Sequence, residues 1–121
     1  MKVEHFEDLE IWKESRKLVV EVYKLTSNEI LKKDFGLKEQ MQRAAVSIMN
    51  NIAEGFERDS NKEFIRFLFF AKGSAGEIRS LLYITLDLNL ITKDKFKELF
   101  GDSVKLIKKI STLIKYLKTK T

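Results

Sequence analysis

The sequence of 121 residues contains no cysteine and no proline, and it has only five glycines and one histidine. The lack of cysteine excludes disulfides and thiolate metal sites. The lack of proline removes the residue that most strongly interrupts helices, and an all-β chain of this length would need many more turn residues. The single histidine, His5, has no cysteine or second histidine near it with which to bind a metal.

Motifs for catalysis are also missing. The chain has no phosphate-binding glycine loop, no Glu-x-x-His pair of the di-iron type and no histidine base for a serine nucleophile. We therefore expect no enzymatic activity, no cofactor, no metal and no small-molecule substrate. The charged first residues and the absence of a long apolar run predict no signal peptide, no membrane association and a cytoplasmic protein.

What the sequence does contain is helical periodicity in one domain, residues 1–121, with 44% apolar residues. Because the connections are short, consecutive helices should be antiparallel, which predicts an all-α, up-down-up-down four-helix bundle. Asp8, Ser60 and Thr92 are expected N-caps, and Phe35-Gly36 is expected to form a turn after a frayed segment, 28–34. The predicted helices span about 9–27, 37–57, 60–88 and 92–118.

The second helix carries a line of polar residues at steps of three and four, which we call the polar line: Gln40, Arg43, Ser47, Asn51 and Glu54. A solvent-facing helix surface is usually a mixture of lysine and glutamate, so this line suggests groups that meet definite partners. Ser74 and Glu77 on the third helix should extend it into a structural polar network. Arg43 is the expected partner of Glu77, since a buried carboxylate is costly when it is unpaired.

The third helix is apolar over more than one face. One stripe is sufficient for the core of a single chain, and a second band extends past the width that a surface helix needs. We predict that this band forms a homo-oligomer interface, the alternative being apolar side chains that are exposed singly. Gly73 and Gly76 are expected to permit close packing of helices. The predicted interface residues are Phe67, Phe70, Leu81 and Ile84.

The net charge of +5 is carried entirely by the last 21 residues, because acidic and basic residues balance in the first 100. A basic stripe of this kind can attract the phosphates of RNA or DNA, and the alternative is a solvated face of a terminal helix. The candidate nucleic-acid-binding residues are Lys105, Lys108, Lys109, Lys115 and Lys118.

Several short motifs follow in a recognisable order: FEDLEIW at 6–12, FGL at 35–37, RAAVSI at 43–48, NIAEG at 51–55, SNKEF at 60–64 and AKGSAGE at 71–77. The chain thereby resembles the bacterial four-helix bundle proteins known as 23S rRNA intervening-sequence proteins. The resemblance implies a left-handed bundle that assembles as a ring-like homopentamer. It also extends to the accessory variability protein of diversity-generating retroelements, a basic bundle that partners nucleic acid and a reverse transcriptase.

One departure concerns the second helix, where family members often have a proline between the Ser-Ile and Asn-Ile motifs. This chain has Met49-Asn50 instead, so its second helix should be straighter. The leading functional hypothesis is a non-enzymatic, oligomeric bundle that binds structured RNA or another nucleic acid through basic outer surfaces. The alternative hypothesis is a protein-interaction scaffold without a nucleic-acid role.

Overall fold

The computed structural model describes residues 3–121, which form four long α-helices and two short 3-10 turns. No strand occurs within this part of the chain. The predicted all-α class with four helices is therefore confirmed, and the observed helix limits differ from the predicted ones by no more than two residues. The helices are α1 (Glu10–Thr26), α2 (Phe35–Glu57), α3 (Asn61–Asp87) and α4 (Lys93–Lys118), and the turns are Phe6–Asp8 and Leu31–Lys33.

Two of the three predicted N-caps are confirmed. The Ser60 hydroxyl accepts a hydrogen bond from the Glu63 amide at the start of α3, and Thr92 does the same for α4 with the Lys95 amide. The prediction for Asp8 was wrong, since α1 begins after Leu9 without a side-chain cap. Asp8 instead ends the preceding 3-10 turn, where its own amide donates to the His5 carbonyl at 3.1 Å.

The segment between α1 and α2 is folded rather than frayed, which corrects the prediction for residues 28–34. The Asn28 side chain accepts hydrogen bonds from the amides of Ile30 and Leu31, and Leu31 is fully buried. The Asp34 carboxylate then accepts from the Leu37 amide at 3.1 Å and caps α2. Because this cap lies one residue before Phe35, the predicted Phe35-Gly36 turn is instead the first turn of the helix.

Contacts between α2 and α3 run in opposite directions along the two helices. Near the start of α2, Met41 contacts Thr85 late in α3, and farther along Ser47 meets Ser74. Gly55, at the end of α2, lies against Phe67 early in α3. The two helices are therefore antiparallel.

The contacts of α4 with its two neighbours have the same antiparallel order. Helices α1 and α2 also pack together, so each helix contacts its neighbours in a closed circuit. The left-handed turn of the bundle, which the family resemblance implies, stays a prediction. On its α3 side, α4 contacts Tyr83 through Phe96 and Phe69 through Lys118. On its α1 side, it contacts Glu21 through Lys95 and Glu14 through Lys109.

The core is built from one buried stripe of each helix, and complete burial of such an aliphatic side chain stabilises the fold by roughly 1.5–3 kcal/mol. The buried hydroxyls do not weaken this core, because each donates to the carbonyl four residues earlier in its own helix. Among the largest fully buried side chains are Val22, Leu31, Met41, Ile48, Ile52, Leu68, Ile78, Leu82, Leu99, Leu106 and Ile110.

Candidate nucleic-acid interface

The outer surface of α4 carries four of the five lysines that the sequence predicts to bind nucleic acid. The buried stripe of this helix recurs at three- and four-residue steps, which leaves the remaining circumference to solvent. Lys105, Lys108, Lys115 and Lys118 are all exposed there. The stretch of α4 after Asp102 contains no acidic residue, but Lys105 borders a depression that is also lined by Asp102 and by Glu14 and Glu21 of α1.

Lys109 lies elsewhere, in the contact between α4 and α1. Its ammonium donates to the carboxylates of Glu10 at 2.5 Å and Glu14 at 2.8 Å. These hydrogen bonds raise the pKa of Lys109, and the bond from Lys109 lowers the pKa of Glu10. The charge of Lys109 is compensated within the chain, and Lys109 therefore differs from the other predicted nucleic-acid-binding lysines.

Three of the exposed lysines have no partner of this kind. Within residues 3–121, no carboxylate pairs with the ammonium group of Lys105, Lys108 or Lys115. An ammonium group without a carboxylate partner can bind a phosphate more readily than a paired one, because no internal ion pair has to break first. These three side chains are therefore the best-placed phosphate contacts on α4.

Lys118 lies over an aromatic ring that the sequence analysis had not connected with it. Its ammonium is 5.3 Å from the centre of the Phe69 ring on α3, and the ammonium of Lys72 is 6.0 Å from the same centre. Phe69 remains 45% exposed. The spacing of Phe69 and Lys72 by three residues places them on one helix face and was the only sequence signal of this arrangement.

The middle of the polar line is a connected hydrogen-bond network between α2 and α3. The hydroxyls of Ser47 and Ser74 are 2.9 Å apart, and the Asn51 amide donates to the Ser47 hydroxyl at 3.0 Å and to the Ser47 carbonyl at 2.8 Å. The short side chains allow the two helices to approach closely. The sequence pattern therefore placed these three residues near one another, although it did not specify which bonds form.

The ends of the polar line are exposed, and their ion pairs lie within α2. Arg43 is 3.6 Å from Glu39 and its side chain is 79% exposed, while Glu54 pairs with Arg58 at 2.9 Å. The expected buried pair between Arg43 and Glu77 does not form within one chain, because both side chains are at the surface. Gln40, Arg43, Ser47 and Glu77 do share one depression between α2 and α3, of about 570 Å³.

The predicted interface band on α3 divides into a buried part and an exposed part. Phe67 is only 6% exposed, because the guanidinium groups of Arg58 and Arg66 cover its ring at 4.9 and 4.8 Å. Most of its surface is therefore buried within the chain, and its role in an oligomer interface stays a prediction. Phe70 and Ile84 remain 48% and 44% exposed, and Leu81 is partly buried against the core.

The glycines of α3 do not have the packing role that the sequence analysis expected. A Cβ atom added to Gly73 or Gly76 would meet no atom within 4 Å. At Gly55 of α2, in contrast, an added Cβ would lie 2.5 Å from the Cβ of Phe67. Close helix packing within the chain thus depends on Gly55, which the sequence analysis had noted only as part of a motif.

The described residues meet neither the requirements of a metal site nor those of a membrane-spanning helix. Within residues 3–121, no three His, Asp or Glu residues converge in a way that could hold a metal ion. None of the described helices is sufficiently long and apolar to span a membrane. His5 is exposed ahead of α1.

Comparison with known families agrees with this architecture. The model of the 23S rRNA-intervening sequence protein family matches residues 7–112. The chain belongs to this family. The resemblance seen in the sequence is thereby confirmed, and the matched region reaches from the first 3-10 turn into the second half of α4.

Among solved structures, this chain is similar to a protein of unknown function from the S23 ribosomal protein family of Bacteroides thetaiotaomicron VPI-5482. The TM-score is 0.80 at 28% sequence identity, over 87% of this chain and 98% of the other. Comparison with curated proteins gives no match. Neither the family description nor that of the related structure names an enzymatic activity.

Proposed function

We propose that this family member is a non-enzymatic bundle that binds structured RNA or another nucleic acid through the outer surface of α4. The observation that carries the proposal is the set of three exposed, uncompensated lysines: Lys105, Lys108 and Lys115. Their ammonium groups can contact phosphates without first breaking an internal ion pair. Binding of this type depends on phosphate position and duplex shape more than on base identity.

The descriptions of the relatives support RNA as the nucleic acid. The family description refers to 23S rRNA, and the related Bacteroides structure is assigned to a ribosomal protein family. Ribosomal RNA is therefore the first ligand to test.

The experiment is a charge reversal of the three lysines to glutamate, with binding to a structured ribosomal RNA fragment measured at several salt concentrations. Each lost phosphate contact should lower the slope of log affinity against log salt by about one, so we expect a slope reduced by about three and loss of binding at physiological salt. The matched control reverses Lys13, Lys24 and Lys33, which are also exposed but lie on or near α1. Equal loss in both variants, or no binding by the wild type, would reject the proposal.

We further propose that the chain self-associates through the face formed by α2 and α3, as the ring-like homopentamer implied by the family resemblance. Support comes from the exposed rings and aliphatic side chains there, Phe70 and Ile84 among them. The depression that Arg43 and Glu77 share lies on the same face, so these residues could pair between copies. Repetition of the α4 lysines around a ring would raise affinity through multivalency.

Light scattering of the wild type and of the double variant Phe70→Glu/Ile84→Glu tests this assembly. The wild type should have a mass several times that of one chain, whereas the variant should be monomeric with unchanged helical circular dichroism, because both side chains are exposed in the single chain. Tyr23→Glu on α1 is the control for an exposed aromatic residue. A wild type that is monomeric at micromolar concentration would refute the assembly.

The same exposed apolar face favours the second candidate function, a protein-interaction scaffold. The salt titration separates the two, since an apolar interface loses little affinity with salt whereas phosphate contacts lose much.

A further inference from the structure

We propose that the face formed by α3 and α4 around Phe69 binds an unpaired base of a single-stranded nucleic acid, with the base stacked on the Phe69 ring and neighbouring phosphates held by Lys72, Lys115 and Lys118. This inference rests on the proposed nucleic-acid function and names the type of nucleotide that the surface recognises. The surface is called the Phe69 face below.

The charge of the Phe69 face has one sign on both helices. Residues 64–76 of α3 contain no acidic side chain, and neither do residues 103–118 of α4. The two segments lie side by side, because Arg79 contacts Phe100 beyond one end and Phe69 contacts Lys118 near the other. The nearest acidic residue before this part of α3, Glu63, is already paired with Arg66, whose hydrogen bond lowers its pKa.

The aromatic ring lies within this positive surface and is accessible. Phe69 is 45% exposed even with two ammonium groups within cation–π distance of it. Lysine side chains are flexible, so both groups can turn from the ring to phosphates when a base takes their place. Exposed aromatic rings bordered by cations are the arrangement by which proteins hold single strands, since every base has a stacking face.

The backbone beside the ring is also open. Gly73 follows Phe69 by four residues and Gly76 follows Lys72 by four, so both lie next to the ring and its cation along α3. An added Cβ would meet nothing within the chain at either position, although glycine weakens a helix relative to alanine. The missing side chains leave room for a sugar or base to approach the helix.

A duplex cannot use the ring, because its base faces are covered by neighbouring pairs, whereas an acidic peptide could use the charges but not the stacking. The test therefore compares three ligands of similar charge: a single-stranded RNA oligonucleotide, the RNA duplex of the same sequence and an oligoglutamate peptide. Binding of each is measured by fluorescence anisotropy for the wild type, Phe69→Leu and Phe69→Tyr. Tyr23→Leu removes a ring that is 47% exposed on α1 and serves as the control.

We expect Phe69→Leu to weaken single-strand binding roughly tenfold and to leave duplex binding and its salt slope unchanged. Phe69→Tyr should retain single-strand affinity, and Tyr23→Leu should match the wild type. A Phe69→Leu variant that binds the single strand as the wild type does, or that loses affinity equally for the peptide, would overturn the stacking site while the lysine-based function stands. A wild type that binds neither form of RNA would overturn both.

Discussion

The contact between α2 and α3 and the contact between α1 and α4 both join antiparallel helices, but they use opposite chemistry. Beside its buried apolar residues, the first contains a glycine and short polar side chains, with the hydroxyls of Ser47 and Ser74 only 2.9 Å apart. The second is bridged by long charged side chains, with Lys109 reaching Glu10 and Glu14. A close contact fixes the helix backbones, so it tolerates little added volume, whereas a flexible ion pair at the surface adapts and is screened by salt.

The largest expected effect comes from adding one methyl group to the close contact. Gly55→Ala would place a Cβ 2.5 Å from the Cβ of Phe67 and 3.2 Å from the ring of Phe64. The Cβ of Phe67 moves only with the backbone of α3, so the helices must separate. We expect a loss of about 2–3 kcal/mol in the free energy of unfolding, measured by denaturant titration.

The matched substitution Gly101→Ala should have the opposite sign. Gly101 lies within α4, and an added Cβ there would meet no atom within 4 Å. Because alanine favours the helix over glycine, we expect a gain of about 0.5–1 kcal/mol. If both alanine variants shift stability in the same direction, close approach at Gly55 is not what distinguishes the two positions.

The difference between these glycines also shows which parts of the fold can be predicted from the sequence. Helical periodicity located all four helices, because each buries a stripe with the spacing of one face. It could not show which glycine is packed, since Gly55, Gly73 and Gly76 all occur in helices and, of these three, only Gly55 lies against side chains of a neighbouring helix. That distinction depends on the rotation of α2 against α3, which the pattern does not specify.

The same limit applies to the candidate site. The distribution of charge in the sequence identified the lysines of α4, and among residues 3–121 no carboxylate pairs with Lys105, Lys108 or Lys115. Lys109 differs from them by its ion pairs with Glu10 and Glu14 of α1, two glutamates that are distant from it in the sequence. Likewise, Arg43 appeared suited to a buried pair, yet its side chain extends into solvent beside Glu39. Long side chains can turn to either side of a helix, so their partners are set by tertiary structure.

The smallest expected effect concerns the ion pairs of α1 and α4. Lys109→Met keeps the length of the side chain and removes its charge, and we expect a small decrease in Tm that high salt diminishes. Lys105→Met is the control, because no carboxylate among residues 3–121 pairs with its ammonium group. Equal decreases in the two variants would show that the Lys109 pairs contribute nothing specific.

The pH dependence makes this comparison sharper. The bond from Lys109 lowers the pKa of Glu10 in the folded chain, so its stabilisation is complete above the ordinary glutamate pKa and is lost as the pH falls through the lower, folded-state value. The pKa of Lys109 is raised, so its stabilisation is complete below the ordinary lysine pKa and is lost as the pH rises through the higher value. The Tm difference between wild type and Lys109→Met should therefore be constant from about pH 5.5 to about pH 9.5 and decrease on either side. A difference that persists unchanged in strong acid, where both glutamates are protonated, would mean that the ion pairs of Lys109 with Glu10 and Glu14 are not its cause.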